Sequence, residues 1–394
     1  MRQDEMTLIG RQASGDIALP LRGVKVIELG HSVAGPHAGL ILAGLGADVI
    51  KLERVPGKDP ARDWGPPFWE GMAPHFLCMN RGKRSFQFNM DDPVHLDWLS
   101  GRLRGATDVF VSNIRPRSLE RRGLDAKSIT GINSKLIACE IGAYGKGGKL
   151  EGLPGYDPLM QAYSGLMSLT GEGGDRPPIR VGVSMIDLTA GIWAALGIVA
   201  ALKRRETSGA GGIVETSLLE TAISFMQIPL SSYEIQPREM QPRGSGAEGI
   251  VPYQAFKVSG RWIVIACGSD ALFCRFCNVL GREGWASDER FSKNSSRVRN
   301  RKVLISLIEQ ELTGWEVDDL IEKLVAAGIP YSPVNTVPDV LACDHVSALG
   351  ILQTIKDENE PRLANLPLKF DGVRPEFSST APTVEQCEVV EHEL

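Results

Sequence analysis

Residues 188–202 (LTAGIWAALGIVAAL) are apolar on nearly every side of a helical wheel, and the pattern stops at Lys203-Arg204-Arg205. A helix without a polar face is normally buried, so this stretch predicts the central helix of the main domain. It is preceded by GYDPLMQAYSGLMSLTG, a polar loop EGGDRPP, and an apolar run ending in one carboxylate, Asp187. An acid at that point has two readings. It can cap the helix, accepting the free backbone N–H groups of the first turn. It can also be a nucleophile or base that the helix dipole keeps ionised. The two are not exclusive.

Elsewhere short apolar runs alternate with helical patterns. Strands are expected at residues 24–29 (VKVIEL), 48–52, 85–88, 108–112 and 136–139. Between them fall helices at 36–43 and 93–103 and a short helix after Gly123; a strand-like VETSL and a helix towards residue 232 follow Arg205. Such alternation predicts a parallel α/β sheet. Residues 55–76 are rich in Pro, Gly and Trp without a period and read as a surface loop. The clearest break is 237–249 (PREMQPRGSGAEG). Beyond it a hairpin at 253–257 and 262–266 precedes helices at 271–280, 298–312 and 317–327. The expected organisation is a large domain over residues 1–224, a small α+β domain over 225–329, and a return to the large domain over 330–394.

A chain of 394 residues can bury a sizeable core in two domains. Its 43% hydrophobic and 23% charged content is that of a soluble globular protein. A net charge of -5 gives no electrostatic reason for a nucleic-acid or membrane partner. The longest apolar run, 192–202, is shorter than a membrane span. The first twenty residues carry charges and no apolar secretory segment, so they read as a flexible lead. Seven scattered cysteines suit the reduced thiols of a cytoplasmic protein better than a disulfide framework.

Strand, glycine turn, helix, strand and Glu53 follow the order of a dinucleotide-binding unit, but Gly30 and Gly35 do not make G-x-G-x-x-G. Cys274 and Cys277 sit inside a helical pattern without a second ligand pair, and no metal is expected. Ser164-Gly165 lacks the glycine two positions earlier that a nucleophile elbow needs. Arg54, Lys83, Arg84, Arg115, Arg117, Arg121 and Arg122 lie beside strand ends. Loops after the strands of a parallel sheet share one rim, so these cations suit a polyanionic small ligand. Solvated surface charge is the other reading, and the pattern alone leans to it.

Eight stretches in order, from Leu21 to about Val373, carry a family resemblance: LRGVKVIELGHSVAGPHAG, LGADVIKLER, MNRGKRS, ATDVFVSNIRPRSLERRGL, PGYDPLMQAYSGLMSLTG, VGVSMIDLTAG, GIVPYQAF and AAGIPYSPVN. Together they resemble the class III CoA-transferases, which include formyl-CoA, carnitine and bile-acid CoA-transferases and the related α-methylacyl-CoA racemases. The resemblance implies a Rossmann-like parallel-sheet large domain with a smaller α+β domain, in an interlocked dimer of ring-shaped subunits. It implies transfer of coenzyme A from an acyl-CoA, succinyl-CoA being a candidate, to a small carboxylic acid. Asp187 falls on the family's nucleophile, which passes through a mixed anhydride and an aspartyl-CoA thioester. A helix start would hold it ionised and offer N–H groups to an oxyanion.

By the same resemblance, Val33 and Ala34 would pass close to the pantetheine or adenine, and Arg54, Lys83, Arg115, Arg121 and Arg122 would meet the phosphates. Asn80, Asn113 and Tyr144 would line the cofactor. Gly244, Gly246 and Gly249 match a glycine-rich lid; the composition alone also suits a flexible linker. Tyr156 stands where the racemases carry a His, which favours transfer over racemisation. Gly142 stands where relatives often carry a Lys, and APTVEQ at 381–386 is a reduced form of the usual C-terminal signature. The alternatives are an acyl-CoA racemase or isomerase of the same fold and a non-catalytic CoA-binding protein.

Overall fold

The computed structural model describes residues 19–55, 58–355 and 360–389, so most of the expected N-terminal lead lies outside the described residues. The apolar runs become strands β1 (Lys25–Leu29), β2 (Asp48–Arg54), β3 (Lys83–Phe88), β4 (Val109–Ser112), β5 (Ile137–Gly142) and β6 (Gly212–Ser217). They pair in parallel in the order β3-β2-β1-β4-β5-β6, and a short strand, Glu388–Val389, adds to the outer edge of β3. The chain leaves β1 in one direction to build β2 and β3 and in the other to build β4, β5 and β6. A crevice opens at the carboxyl ends of β1 and β4, where that order reverses.

Helices connect the strands: α1 (Ala34–Gly44), α2 (Pro74–Met79), α3 (Pro93–Gly105), α4 (Pro116–Glu120), α5 (Ala126–Ile132), α6 (Asp157–Tyr163), α7 (Leu166–Leu169), α8 (Met185–Ser208), α9 (Leu218–Phe225) and α10 (Gln227–Ile235). The expected loop over 55–76 holds a 3-10 turn, Pro60–Asp63, capped by Asp59, and the start of α2. Both begin with Pro in the first turn and are too short to show a period.

The expectation of all-round burial for the long apolar helix is corrected. Ala190, Gly191, Ala194, Ala195 and Ile198 of α8 are buried. At Gly191 the backbone of α1 comes so close that a Cβ would lie 2.9 Å from the Ala34 carbonyl oxygen. The other face leaves Ile192 49%, Trp193 46% and Leu196 54% exposed. Apolar composition reports what a face could bury against, not whether this subunit covers it. With 24 residues and a window of mean hydropathy 1.9, α8 is also long and apolar enough to cross a membrane, unlike the shorter run read from sequence. Its packing against α1, β5 and β6 is that of a helix layered on a sheet.

Beneath the crevice the sheet carries buried charge. Glu28 on β1 pairs with Lys51 on β2 (3.1 Å) and Lys83 on β3 (2.7 Å), and Lys51 reaches Asp59 (2.9 Å). Lys83 also donates to the Pro36 carbonyl (2.7 Å) and to Asn80 Oδ1 (3.0 Å). Burial lowers the Lys83 ammonium to about 8 against the pull of Glu28. Burial works in the same direction on Lys51, but Asp59, Glu28 and Glu53 outweigh it and raise that ammonium. Each charge is tolerated because its partners and hydrogen bonds are in place.

The described residues divide into two compact units, one of those within 19–166, 181–235 and 349–389, the other of 167–180 and 236–348. The sequence reading placed its boundaries at 224/225 and 329/330. In the second unit, β7 (Tyr253–Val258) and β8 (Arg261–Ala266) form the antiparallel hairpin, with Ser259 and Gly260 both at positive φ (47° and 84°) in its turn. A third strand, β9 (Tyr331–Pro333), pairs with β8. Helices Asp270–Val279, Arg301–Leu312 and Val317–Ala326 supply Phe273, Phe276, Leu304, Ile308 and Leu320 to its core.

The ion ladder predicts a contrast between two glycines. A Cβ on Gly39 of α1 would lie 2.0 Å from Glu28 Oε2, whereas one on Gly101 of α3 would meet nothing within 4 Å. In urea titrations Gly39→Ala should lose about 3–5 kcal/mol, the cost of breaking a buried pair. Gly101→Ala should gain about 0.5–1 kcal/mol from helix propensity. Equal effects at the two sites would contradict the packing described.

Candidate active site

The crevice has a volume of ≈ 690 Å³ and is lined by the turn after β1, the ends of β2 and β4, the loop between β5 and α6, and Asp187. Its floor is a clamped turn. Asn113, just past β4, accepts from the His31 N–H (3.0 Å) and donates to the His31 carbonyl (2.9 Å). Gly30 and Gly35 leave room for that amide: a Cβ would lie 2.7 Å and 3.0 Å from its oxygen. Ser32 takes a left-handed φ of 68° and donates its N–H to Asp59 Oδ1 (3.0 Å). The strained turn is thus tied to Asp59, which also meets Lys51 of the ion ladder. Burial holds the His31 imidazole below its usual range, with Asp59 opposing.

Val33 and Ala34 open α1 against the crevice, and Tyr144 lines the far wall with its ring edge-on to Tyr163 (5.7 Å). Arg54 and Arg115 line the rim, and no ion pair or hydrogen bond of either side chain is found among the described residues. Arg122 also lines it, but its guanidinium is engaged by Asp91, the Met90 carbonyl and Ser118. Lys146, not anticipated from sequence, enters the crevice four residues after Gly142 and is held between Glu140 (2.7 Å) and Glu215.

Other expected ligands lie elsewhere. Lys83 and Asn80 are buried and bonded to each other within the ion ladder. Their place beside a strand start, rather than at its carboxyl end, keeps them from the rim. Arg121 is exposed, with Nε on the Arg117 carbonyl (3.2 Å), outside the crevice lining. Gly244, Gly246 and Gly249, expected as a lid and not as ligands, belong to the second compact unit. There the Gly244 N–H donates to the Gly171 carbonyl (2.7 Å), Arg243 pairs with Glu248, and Arg301 donates to the Ala247 and Glu248 carbonyls (2.7 and 2.6 Å).

Asp187 occupies the first turn of α8, but it is not the cap. Asp157, the first residue of α6, takes that role: its Oδ2 accepts the N–H groups of Ile186 (2.7 Å) and Asp187 (3.2 Å). Its Oδ1 accepts from Gln161, whose own oxygen accepts the Val181 N–H (2.9 Å). The next N–H, of Leu188, goes to the Ser184 carbonyl (3.0 Å). The expected use of these donors for an oxyanion is therefore corrected: they already have acceptors. The expected stabilisation of Asp187 as an anion is corrected too. Burial, and after it the charge of Asp157, raise the Asp187 carboxyl to about 7. No hydrogen bond to its side chain is found among the described residues. What results is a carboxylate on a fixed helix start, facing a crevice whose rim carries Arg54 and Arg115, both without a partner among the described residues.

A model of CoA-transferase family III matches residues 21–387. The succinate–glutarate CoA-transferase of Agrobacterium fabrum is 35% identical over 346 residues, covering 86% of this chain and 86% of its own. The succinyl-CoA:glutarate CoA-transferase of Homo sapiens is 34% identical over 356 residues, covering 90% and 80%. Among solved structures, a CaiB/BaiF family protein from Brucella suis is similar with a TM-score of 0.81 at 34% identity, covering 93% of this chain and 97% of its own.

The raised Asp187 carboxyl has a consequence for stability. Its folded pKa lies near 7 against 3.8 for the free group, so the folded chain holds a proton that the unfolded chain releases. That contribution is complete below pH 3.8 and disappears as pH rises through about 7. The melting temperature of the wild type minus that of Asp187→Asn should therefore grow as pH falls from about 8 to about 5. A difference that is flat or of opposite slope in calorimetry would contradict the description of this carboxyl.

Proposed function

The chain belongs to CoA-transferase family III and is an acyl-CoA:carboxylate CoA-transferase, and from that premise we propose that Asp187 is its covalent nucleophile. The observation that carries the reading is a carboxylate in the crevice wall with neither a cation nor a hydrogen-bond donor on its oxygens among the described residues. One of those oxygens attacks the acyl-CoA carbonyl carbon, the C–S bond breaks, and a mixed anhydride and CoA thiolate form. The thiolate attacks the aspartyl carbonyl, the anhydride C–O bond breaks, and the donor acid leaves as carboxylate. An aspartyl-CoA thioester remains. The acceptor carboxylate then attacks that thioester, and the thiolate it expels takes the acceptor acyl group from the second anhydride, restoring Asp187.

Every step exchanges one anion for another, and no proton enters or leaves. A general acid or base is unnecessary, which fits Tyr156 at the position where a racemase would carry one. What the site must supply is an ionised Asp187, so kcat/KM should rise with pH through about 7 and then level off. Arg54 and Arg115 are the phosphate ligands in this reading, because they are crevice arginines without a partner among the described residues and can exchange water for a phosphate. Succinyl-CoA as donor and a small dicarboxylate as acceptor follow the activities for which the relatives are named. Asp187→Asn and Asp187→Ala should abolish turnover of succinyl-CoA with glutarate while binding succinyl-CoA within about threefold of the wild type by calorimetry. Full turnover in either variant would sink the mechanism.

We further propose a homodimer, with the interlocked form that the resemblance implies, and a cytoplasmic setting consistent with seven free cysteines. The support is apolar surface that this subunit leaves uncovered: in addition to Ile192, Trp193 and Leu196 of α8, α10 presents Ile228 at 78% and Ile235 at 85% exposure. Monomers rarely expose such area. Sedimentation should give a dimer that does not dissociate on dilution, and Leu196→Asp should weaken it. A monomeric wild type would contradict this.

A further inference from the structure

Asp157 is buried, at 2% exposure, and forms no part of the crevice surface. Nevertheless it holds the start of α8. Ser184, at the N-cap position, makes no side-chain capping bond, and a carboxylate 29 residues before Ile186 replaces it. The acceptor is itself fixed, because Gln161 donates to its other oxygen and anchors the backbone at Val181.

The arrangement matters because two carboxylates compete for the same donors. Asp187 is the third residue of α8, where an acidic side chain ordinarily folds back onto the free N–H groups of the first turn. A carboxylate held in that way has its lone pairs engaged and points along the helix instead of into the crevice. The N–H groups of Ile186 and Asp187 go to Asp157, that of Met185 to the Val183 carbonyl (2.8 Å) and that of Leu188 to the Ser184 carbonyl (3.0 Å), so the first four N–H groups of the helix itself already have acceptors other than Asp187.

We propose that Asp157 is a positioning residue of the transfer reaction: by taking the N–H groups of Ile186 and Asp187 it fixes the turn from which Asp187 enters the crevice and leaves both oxygens of Asp187 free to attack. The proposal rests on the reading of Asp187 as the nucleophile. Titratable groups near that turn come from three elements among the described residues. From α1, His37 Nδ1 meets the Leu188 carbonyl (2.7 Å), its imidazole held below the usual range by burial. From α9, Glu220 lines the crevice and is bound by the Ser217 hydroxyl (2.5 Å). Tyr144 and Tyr156 come from the loop before α6. Asp157 is the group among them whose charge, after burial, raises the Asp187 carboxyl. The same residue therefore keeps first-turn N–H groups away from the nucleophile's oxygens and adds, after burial, to the rise in the pH above which they are charged.

Asp157→Asn tests both consequences, with Asp157→Ala as the harsher variant. Asn keeps the shape and one acceptor but removes the charge. The pH midpoint of kcat/KM should move down by about one unit, as expected when a like charge is removed. At the plateau, kcat should fall about 100-fold, the effect of a displacement on the order of 1 Å. KM for succinyl-CoA should stay within about threefold, because Asp157 does not touch the crevice. In Asp157→Ala the amides of Ile186 and Asp187 should lose hydrogen-exchange protection. A residue that merely caps the helix would lower the melting temperature but leave the midpoint and the kcat per folded site unchanged, and that result would overturn the proposal. Turnover retained in Asp187→Asn would instead contradict the nucleophile, a separate outcome.

Discussion

Two carboxylates meet at the first turn of α8, and the helix's leading N–H groups go to only one of them. Asp157 accepts from Ile186 and Asp187; Asp187 accepts from nothing found among the described residues. The division is possible because Asp157 is the buried member, with Gln161 as a further donor. Its neighbour Asp187, desolvated and facing the charge of Asp157, is pushed up to about 7. Such a carboxylate is easily protonated and correspondingly basic, a property suited to attack on a thioester carbonyl.

The other wall of the crevice is held by a different device. The turn after β1 bends through Ser32 in a left-handed conformation and is clamped by Asn113 from β4 and Asp59 from beyond β2. Asp59 in turn meets Lys51, and through Glu28 the ladder reaches Lys83 on β3. Buried ion pairs of this kind contribute little net stability, but removing one partner strands the others. The ladder therefore fixes where the β1 turn sits relative to the sheet. One wall is tied to the ladder and the other to Asp157, and at the rim Arg54 and Arg115 have no partner among the described residues.

Much of this was legible in the sequence. The apolar runs gave the strands of the parallel sheet, because strands buried on both faces need no polar alternation. The carboxylate before a long apolar helix singled out Asp187, and the family motifs placed it in chemistry. The roles of neighbouring residues were not legible, because they depend on who reaches a group first. Asp187 reads as a cap until Asp157, far off in sequence, is seen to occupy the donors. Lys83 reads as a phosphate ligand until Glu28 and Asn80 enclose it. Arg122 reads the same way until Asp91 and Ser118 engage it. Lys146 was missed because its neighbours in the crevice, Glu140 and Glu215, come from two different strands. The exposed face of α8 was misread because composition cannot say which apolar side finds a neighbour in its own subunit.

The central claim is that Asp187 carries the transferred group covalently. Its most direct test is to mix the enzyme with succinyl-CoA in the absence of an acceptor, quench with acid, digest, and sequence the modified peptides by mass spectrometry. A CoA thioester on the peptide holding Asp187, discharged when glutarate is added before the quench, is the predicted result. Steady turnover with no adduct on that peptide, or an adduct on another residue, would contradict the account.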